Sequence, residues 1–154
     1  MQIDKLYKDA LNEFKNKNYQ KAIKKFNEVI NLDNKHADSY ANLAVINKIQ
    51  KNYESSFNNL NKALSLNPKS ANLHANMGNL LKVTNNYKAA LSAYTNAIKL
   101  NPKDPNNHNN IGILYEKMND QNKAIVAYKN AVKVDGNYSK AINNIGVILY
   151  KQKK

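Results

Sequence analysis

Asparagine returns in this chain at one fixed step: Asn42, Asn76, Asn110 and Asn144 are each 34 residues apart. A carboxamide carries donors and an acceptor together, so it can match the N–H and C=O of a polypeptide backbone whatever side chains that backbone bears. Asparagine is also a weak helix former, up to ~0.7 kcal/mol worse than alanine, so a row of them inside helices asks for a reason. Asn79, Asn109 and Asn143 extend the same polar band, and lysines join it: Lys15, Lys48, Lys82, Lys117 and Lys151, one to each repeat, with Glu116 the acid among those positions. Neighbouring helices lie ~10 Å apart, which is close to three residues of extended chain at ~3.3 Å each. These groups suit non-covalent recognition of an extended, acidic protein or peptide segment. Lysines at a solvated rim are screened over ~8 Å at physiological salt and act on association rate more than on selectivity.

The other groups capable of chemistry are few. His74 and His108 occupy the same place in successive repeats, four residues before Gly78 and Gly112, where Tyr40 and Ile142 stand elsewhere; that is a packing position. His36 falls in a turn with no second histidine or carboxylate at ligand spacing. Cysteine is absent, which removes disulfides, thiolate metal sites and cysteine nucleophiles together. Asp104 and Asp120 fall at helix ends, where capping accounts for them. Neither a glycine-rich phosphate loop nor a nucleophile motif is present. The chain therefore reads as a non-enzyme, with no metal and no cofactor expected.

The elements that must carry these residues follow from the same period. Gly78, Gly112 and Gly146 are spaced by 34, and Ala10 and Ala44 continue that series backwards. Ala22, Ser56, Ala90 and Ala124 form a second series, and Phe26, Leu60, Tyr94 and Tyr128 a third. Three series with one step define four repeats, 3–36, 37–70, 71–104 and 105–138, with a first helix of a fifth, 139–154, expected as a C-terminal cap. In the third repeat Met77, Gly78, Leu80 and Leu81 mark one apolar helical face, and Ala90, Leu91, Tyr94, Ala97, Ile98 and Leu100 another. Small residues such as Gly78 and Ala90 let the two helices of a repeat approach closely. Asn85 and Asn119 suit a left-handed helix end. Pro68 and Pro102 follow second helices that they cannot continue, and Asp104 followed by Pro105 is a cap followed by a first-turn proline. The stripe Asn72, Asn76, Asn79 and Val83 lies away from the core stripe of Met77, Gly78 and Leu81.

The order of small residue, tyrosine, alanine, aromatic, alanine and proline in "HANMGNLLKVTNNYKAALSAYTNAIKLNP", repeated in "NNIGILYEKMNDQNKAIVAYKNAVKVD", resembles the tetratricopeptide repeat family over essentially the whole chain. The resemblance implies an all-α, right-handed alpha-alpha superhelix of antiparallel helix pairs, with first helices lining a concave groove. Departures are local: Asn34 and Gly136 replace the proline, Ser56 replaces an alanine, and Asp9 and Glu13 stand where later repeats are apolar, as on the wet outer face of a terminal repeat. A ladder like that in the superhelical repeats of O-linked N-acetylglucosamine transferase would fall on Asn42, Asn76, Asn110 and Asn144. Compositional drift is the competing account of those asparagines. The carboxylate-clamp branch of the family uses lysine and asparagine in the first repeat, asparagine in the second, and lysine plus arginine in the third. The matching positions here are Tyr7, Leu11, Asn42, Asn72 and Asn76, with one agreement in five.

Composition bounds the remaining readings. The 154 residues suffice for one domain, and all 24 basic residues are lysine, giving a net charge of +13. Asparagine supplies 30 residues; excess Lys and Asn with no Arg fits an AT-rich genome acting on solvated positions. The charge can thus be a solvated surface or a lure for acidic partners, and the stretch from Ser55 to Lys103, with no Asp or Glu, favours the second. Nucleic acid is the weaker partner class, because bidentate phosphate and base contacts rely on arginine. Homotypic assembly is a further alternative, since Ile142, Ile145, Gly146 and Leu149 would lack the second helix that covers this face in other repeats. No run approaches the ~18 apolar residues of a membrane span. The opening "MQIDKLYKDALNEF" is amphipathic and acid-bearing, unlike a signal peptide, so a cytoplasmic location is expected.

Overall fold

A computed structural model of the chain describes residues 2–153. Among the described residues the ordered elements are helices: α1 (Gln2–Lys15), α2 (Tyr19–Leu32), α3 (Ala37–Ile49), α4 (Tyr53–Leu66), α5 (Ala71–Val83), α6 (Tyr87–Leu100), α7 (Pro105–Lys117), α8 (Gln121–Val134) and α9 (Ser139–Gln152). The fold class is the one the repeats imply, an all-α tandem of antiparallel helix pairs. Of the expected capping segment, residue 154 lies outside the described residues. Packing divides the chain into two compact units, one up to Asn76 and one from Met77 onward, the division falling within α5.

Every first helix of the four pairs stops in the same way. Lys17, Lys51, Asn85 and Asn119 take φ of 60, 63, 61 and 59°, and the N–H that follows each reaches back to the carbonyl five residues before it: Asn18 to Glu13 at 2.9 Å, Asn52 to Asn47 at 2.8 Å, Asn86 to Leu81 at 2.8 Å and Asp120 to Tyr115 at 2.9 Å. This bond satisfies a carbonyl the helix itself leaves open. Asparagine was expected here at Asn85 and Asn119; lysine fills the same place in the first two pairs, although a left-handed lysine costs ~1 kcal/mol or more. Three of the four second helices, α2, α6 and α8, end on a different device, in which the side chains of Asp33, Asn101 and Asp135 accept the N–H two residues on, at 2.9, 3.3 and 3.0 Å. Asp104 caps α7 by accepting from Asn106 N at 2.9 Å, with Pro105 in the first turn, and Asp120 caps α8 by accepting from Lys123 N at 3.0 Å.

In the first unit, Ala10, Ala22, Phe26, Leu43 and Ile46 form a buried cluster with Tyr7, Leu11 and Phe14 packed on it. Burying Phe26, Leu43 and Ile46 contributes ~1.5–3 kcal/mol each. Ser56 fills the place of an alanine in the repeat and is buried there, but its Oγ donates to Ala44 O at 2.8 Å, so the hydroxyl is satisfied. Asp9, expected on a wet face, pairs loosely with Lys25 at 3.8 Å, and Glu13 accepts from Asn18 Nδ2 at 2.9 Å.

The second unit has two such clusters, one around Tyr94, Ile111 and Leu114 and one around Tyr128, Ala131 and Ile148. The glycines explain themselves here. A Cβ on Gly78 would stand 2.7 Å from the Tyr94 ring, and one on Gly112 would stand 2.3 Å from the Tyr128 ring. The first helix in each pair lies flat on a tyrosine of the second, and only a missing side chain allows it. Gly146 meets nothing within 4 Å. Ile145, expected to be uncovered, packs onto the Tyr128 cluster instead, whereas Ile142, Val147, Leu149 and Tyr150 are exposed.

Candidate functional site

The first unit carries a small polar group on α3. Asn42 is half-buried, and its Nδ2 donates twice, to Asp38 O at 2.8 Å and to the Tyr7 hydroxyl at 3.1 Å. The amide is therefore held with its oxygen as the remaining acceptor. Tyr7 is itself wedged beside His36, with ring centroids 4.7 Å apart, and beside Phe26 at 5.9 Å. Its hydroxyl is pushed above the usual phenol range by burial and by the Asp38 charge, against the donation from Asn42. Lys48 is half-buried on the same helix, and loss of water around it lowers its ammonium pKa. Asn76 is half-buried on α5.

The second unit carries a denser network. Lys82 Nζ donates to Asn110 Oδ1 at 3.2 Å and lies 5.7 Å over the Tyr94 ring. The Tyr94 hydroxyl donates to Asn79 Oδ1 at 2.8 Å, and the Tyr128 hydroxyl donates to Glu116. Burial first, then the Glu116 carboxylate, pushes the Tyr128 phenol far above its usual range, so it stays a donor. Asn144 Nδ2 donates to Asn109 Oδ1 at 3.2 Å, and the Tyr138 hydroxyl donates to Asn106 Oδ1 at 2.8 Å. Side chains of α5, α7 and α9 thus meet in one polar surface, tied down from beneath by tyrosines of α6 and α8. Such a surface offers amide donors and acceptors, one ammonium and one carboxylate in restrained positions.

The expected site residues do not all share one environment. Asn79, Asn110, Asn144 and Lys82 are half-buried in the second unit's network, as Asn42, Asn76 and Lys48 are in the first unit, while Asn143 and Lys117 are exposed. Asn109 departs from the expectation: it is buried, 6% exposed, and its oxygen is occupied by Asn144, so it supports the surface rather than forming it. Asn107, beside it, is buried as well. The lysines do not form a single row either. Lys48 and Lys82 share one repeat position and are half-buried, whereas Lys15, Lys117 and Lys151 sit one residue further along and are exposed. Sequence reasoning missed the tyrosine hydroxyls of Tyr7, Tyr94, Tyr128 and Tyr138 altogether. One signal was available for two of them: Phe26 and Leu60 show that the core position needs no hydroxyl, so a tyrosine there must have something to donate to.

Other features of the second unit are of a different kind. An open apolar cleft of about 520 Å³ lies over α6, α7 and α8, lined by Leu91, Ile98, Ile111 and the exposed Val126. His108 on its wall is held below the usual histidine pKa by burial, with Asp104 opposing the shift. In the first unit His36 caps α3, accepting from Ser39 N at 3.2 Å, and Ser39 Oγ lies 3.0 Å from the same nitrogen. His74 Nε2 lies 2.9 Å from Pro68 O. Among the described residues no cluster of His, Asp and Glu is arranged to hold a metal ion, and no helix is long and apolar enough to cross a membrane.

Comparison with known proteins bears on the whole arrangement. A family model described as tetratricopeptide repeat matches residues 37–70 and 105–138, and one described as TPR repeat matches residues 84–119; together they span more than half of the chain. Among curated proteins the sequence finds no match. Among solved structures the chain is similar to Pseudomonas aeruginosa PilF at 20% identity, over 98% of this chain and 69% of that one, with a TM-score of 0.89. It is similar to MamA at 20% identity, over 94% and 84% of the two chains, with a TM-score of 0.81. It is also similar to YrrB, described as a TPR protein with an unusual peptide-binding site, at 18% identity over 96% and 76% of the two chains, with a TM-score of 0.74. At these identities the likeness is one of fold.

Proposed function

This chain belongs to the tetratricopeptide repeat family, whose repeats build scaffolds for protein–protein interaction, and from that premise we propose that it is a non-catalytic scaffold that holds an extended peptide on its first helices. In the second unit the contacts come from Asn79, Lys82, Asn110, Asn143 and Asn144, with Lys117 at the edge. In the first unit Asn42, Asn76 and Lys48 are the corresponding groups.

The observation that carries this reading is the state of Asn110. Its oxygen is engaged by Lys82, so the amide is fixed before any ligand arrives, with its two N–H hydrogens left to donate. A side chain already immobilised loses less entropy on binding than a free one, by ~0.5–1.5 kcal/mol. A backbone carbonyl can accept from it whatever residue it belongs to, which suits recognition of extended chain more than of a particular side chain. The likeness to YrrB supports peptide capture by analogy. The net charge of +13 supports an acidic bias in the segment taken.

Removing one such amide should cost ~0.5–1.5 kcal/mol, the net worth of a hydrogen bond, or roughly two- to tenfold in affinity. The test is fluorescence anisotropy with a set of labelled nine-residue peptides rich in Asp and Glu, against the full chain and its Asn110→Ala and Asn144→Ala variants, with circular dichroism to verify helix content. Weaker binding of every peptide by a similar factor is expected. Equal affinities across wild type and both variants would remove the amides from the reading.

A further inference from the structure

Glu116 breaks the charge pattern of the surface it belongs to: the two preceding repeats carry Lys48 and Lys82 at the same position. Within the second unit Lys82 on α5 and Glu116 on α7 therefore occupy equivalent places on successive first helices. Those helices are neighbours on this face, because Lys82 Nζ reaches Asn110 of α7 at 3.2 Å. Both charged side chains are half-buried and both are held. Lys82 is fixed by Asn110 and by its position over Tyr94. Glu116 is fixed by the Tyr128 hydroxyl. The two tyrosines are equivalent in the repeat, yet Tyr94 donates to Asn79 and Tyr128 donates to the carboxylate, so the hydroxyl serves a different partner where the charge is inverted.

From this geometry we propose that Lys82 and Glu116 form a charge-reading pair that selects a segment with an acidic residue and a basic residue three positions apart. The Lys82 ammonium rests against Asn110, six residues and so ~9 Å of helix rise before Glu116 on α7. Three residues of chain in the polyproline II conformation advance ~9.3 Å and bring the side chain back to the same face, because that helix has three residues per turn. A β-strand would place the same two side chains on opposite faces. The inference rests on the peptide-scaffold reading above and narrows it: the ligand of this unit is mixed in charge and extended in the polyproline II sense, not uniformly acidic. Long-range attraction to a chain of net charge +13 favours uniformly acidic ligands, but it is screened beyond ~8 Å at physiological salt, where the local pair decides.

The experiment uses four labelled nine-residue peptides in one Ser/Ala background, containing Asp-X-X-Lys, Asp-X-X-Asp, Lys-X-X-Lys, or Asp and Lys adjacent. Binding to the full chain is measured by anisotropy at physiological salt. Wild type should take Asp-X-X-Lys about fivefold more tightly than Asp-X-X-Asp or the adjacent pair, the upper range for partly exposed ion pairs. Glu116→Gln keeps an acceptor for Tyr128 and should bring the first two peptides level; Lys82→Glu should turn the preference toward Lys-X-X-Lys. A Glu116 that serves only to anchor Tyr128 would leave the preference of Glu116→Gln as in wild type, and that result overturns the inference. Equal binding of all four peptides, weakened throughout by Asn110→Ala, overturns it while leaving the scaffold reading in place. A preference that follows the charges but ignores Asn110→Ala supports the pair and discards the amides. Failure of all four peptides to bind discards both.

Discussion

Gly112→Ala tests the central packing relation of the second unit. On a helix with open space beside it, alanine is favoured over glycine by ~0.8–1.0 kcal/mol. At Gly112 the new Cβ would stand 2.3, 2.5 and 2.7 Å from three carbons of the Tyr128 ring, more than an ångström inside ordinary contact at the first. The ring has nowhere to retreat, since Tyr128 is fully buried and its hydroxyl is tied to Glu116. Overpacking of this kind costs ~1–3 kcal/mol. Pulling the phenol from its charged acceptor adds ~1.5–3 kcal/mol. After the propensity gain, the variant should lose about 1.5–5 kcal/mol. Gly146→Ala is the internal control, because nothing lies within 4 Å of its Cβ and only the propensity gain of up to ~1 kcal/mol remains. Gly78→Ala should be milder than Gly112→Ala, its closest approach being 2.7 Å. Urea denaturation followed by far-ultraviolet circular dichroism measures all three. The first unit supplies the rescue: Ala44 and Leu60 occupy the two equivalent places there, so Tyr128→Leu added to Gly112→Ala should recover most of the loss. A Gly112→Ala protein as stable as wild type, or one that Tyr128→Leu fails to rescue, would refute the account of the glycines.

Two further outcomes follow from polar side chains of α7, one half-buried and one buried. Burial lowers the His108 pKa, so the folded chain binds that proton less readily than the unfolded one; stability should therefore fall as pH drops below the usual value of 6.5, and His108→Ile should flatten that decline when urea midpoints at pH ~7.5 and ~5.5 are compared. Asn107 is 2% exposed and its amide has a single contact at the outer limit of a hydrogen bond, 3.5 Å to Asp104, where the preceding repeat buries Leu73; Asn107→Leu should raise stability by ~1 kcal/mol in the same denaturation assay.

The repeat period made the helices, their turns and the small-residue positions legible, because each depends on local chemistry that recurs. Asp104, Asp120, Asn85 and Asn119 do what their residue types dictate wherever they occur. The environment of each asparagine was not legible to the same degree. Asn109 and Asn110 are adjacent and chemically identical, yet one is buried and one half-buried, because a helix turns ~100° between them and the helices packed around α7 close one side and not the other. Lys82 and Lys117 looked like members of one row; a single residue of offset moves the second around the helix and out of the network. The left-handed lysines at Lys17 and Lys51 carry no signal in their residue type, since nothing about lysine favours φ near 60°; only the 34-residue step back from Asn119 and Asn85 marks them.

The tyrosines join the legible part to the hidden part. Where the core position is Phe26 or Leu60, the facing residue is alanine, Ala10 or Ala44, and the site of Asn79 is taken by Leu11 or Val45. Where it is Tyr94 or Tyr128, the facing residue is glycine, and the first helix supplies a polar acceptor, Asn79 or Glu116. The two changes go together. In these two pairs the ring lies so close to the first helix that no Cβ fits between them, whereas Phe26 leaves room for Ala10, and a buried hydroxyl loses ~1–3 kcal/mol unless it can donate. The tyrosine thus sits with a glycine behind it and an acceptor beyond it, and that acceptor lies on the face proposed to bind peptide. A repeat that gains the tyrosine thus alters its core and its recognition surface in one step, so the polar pattern of the second unit is set from inside the helix pairs as much as by any ligand.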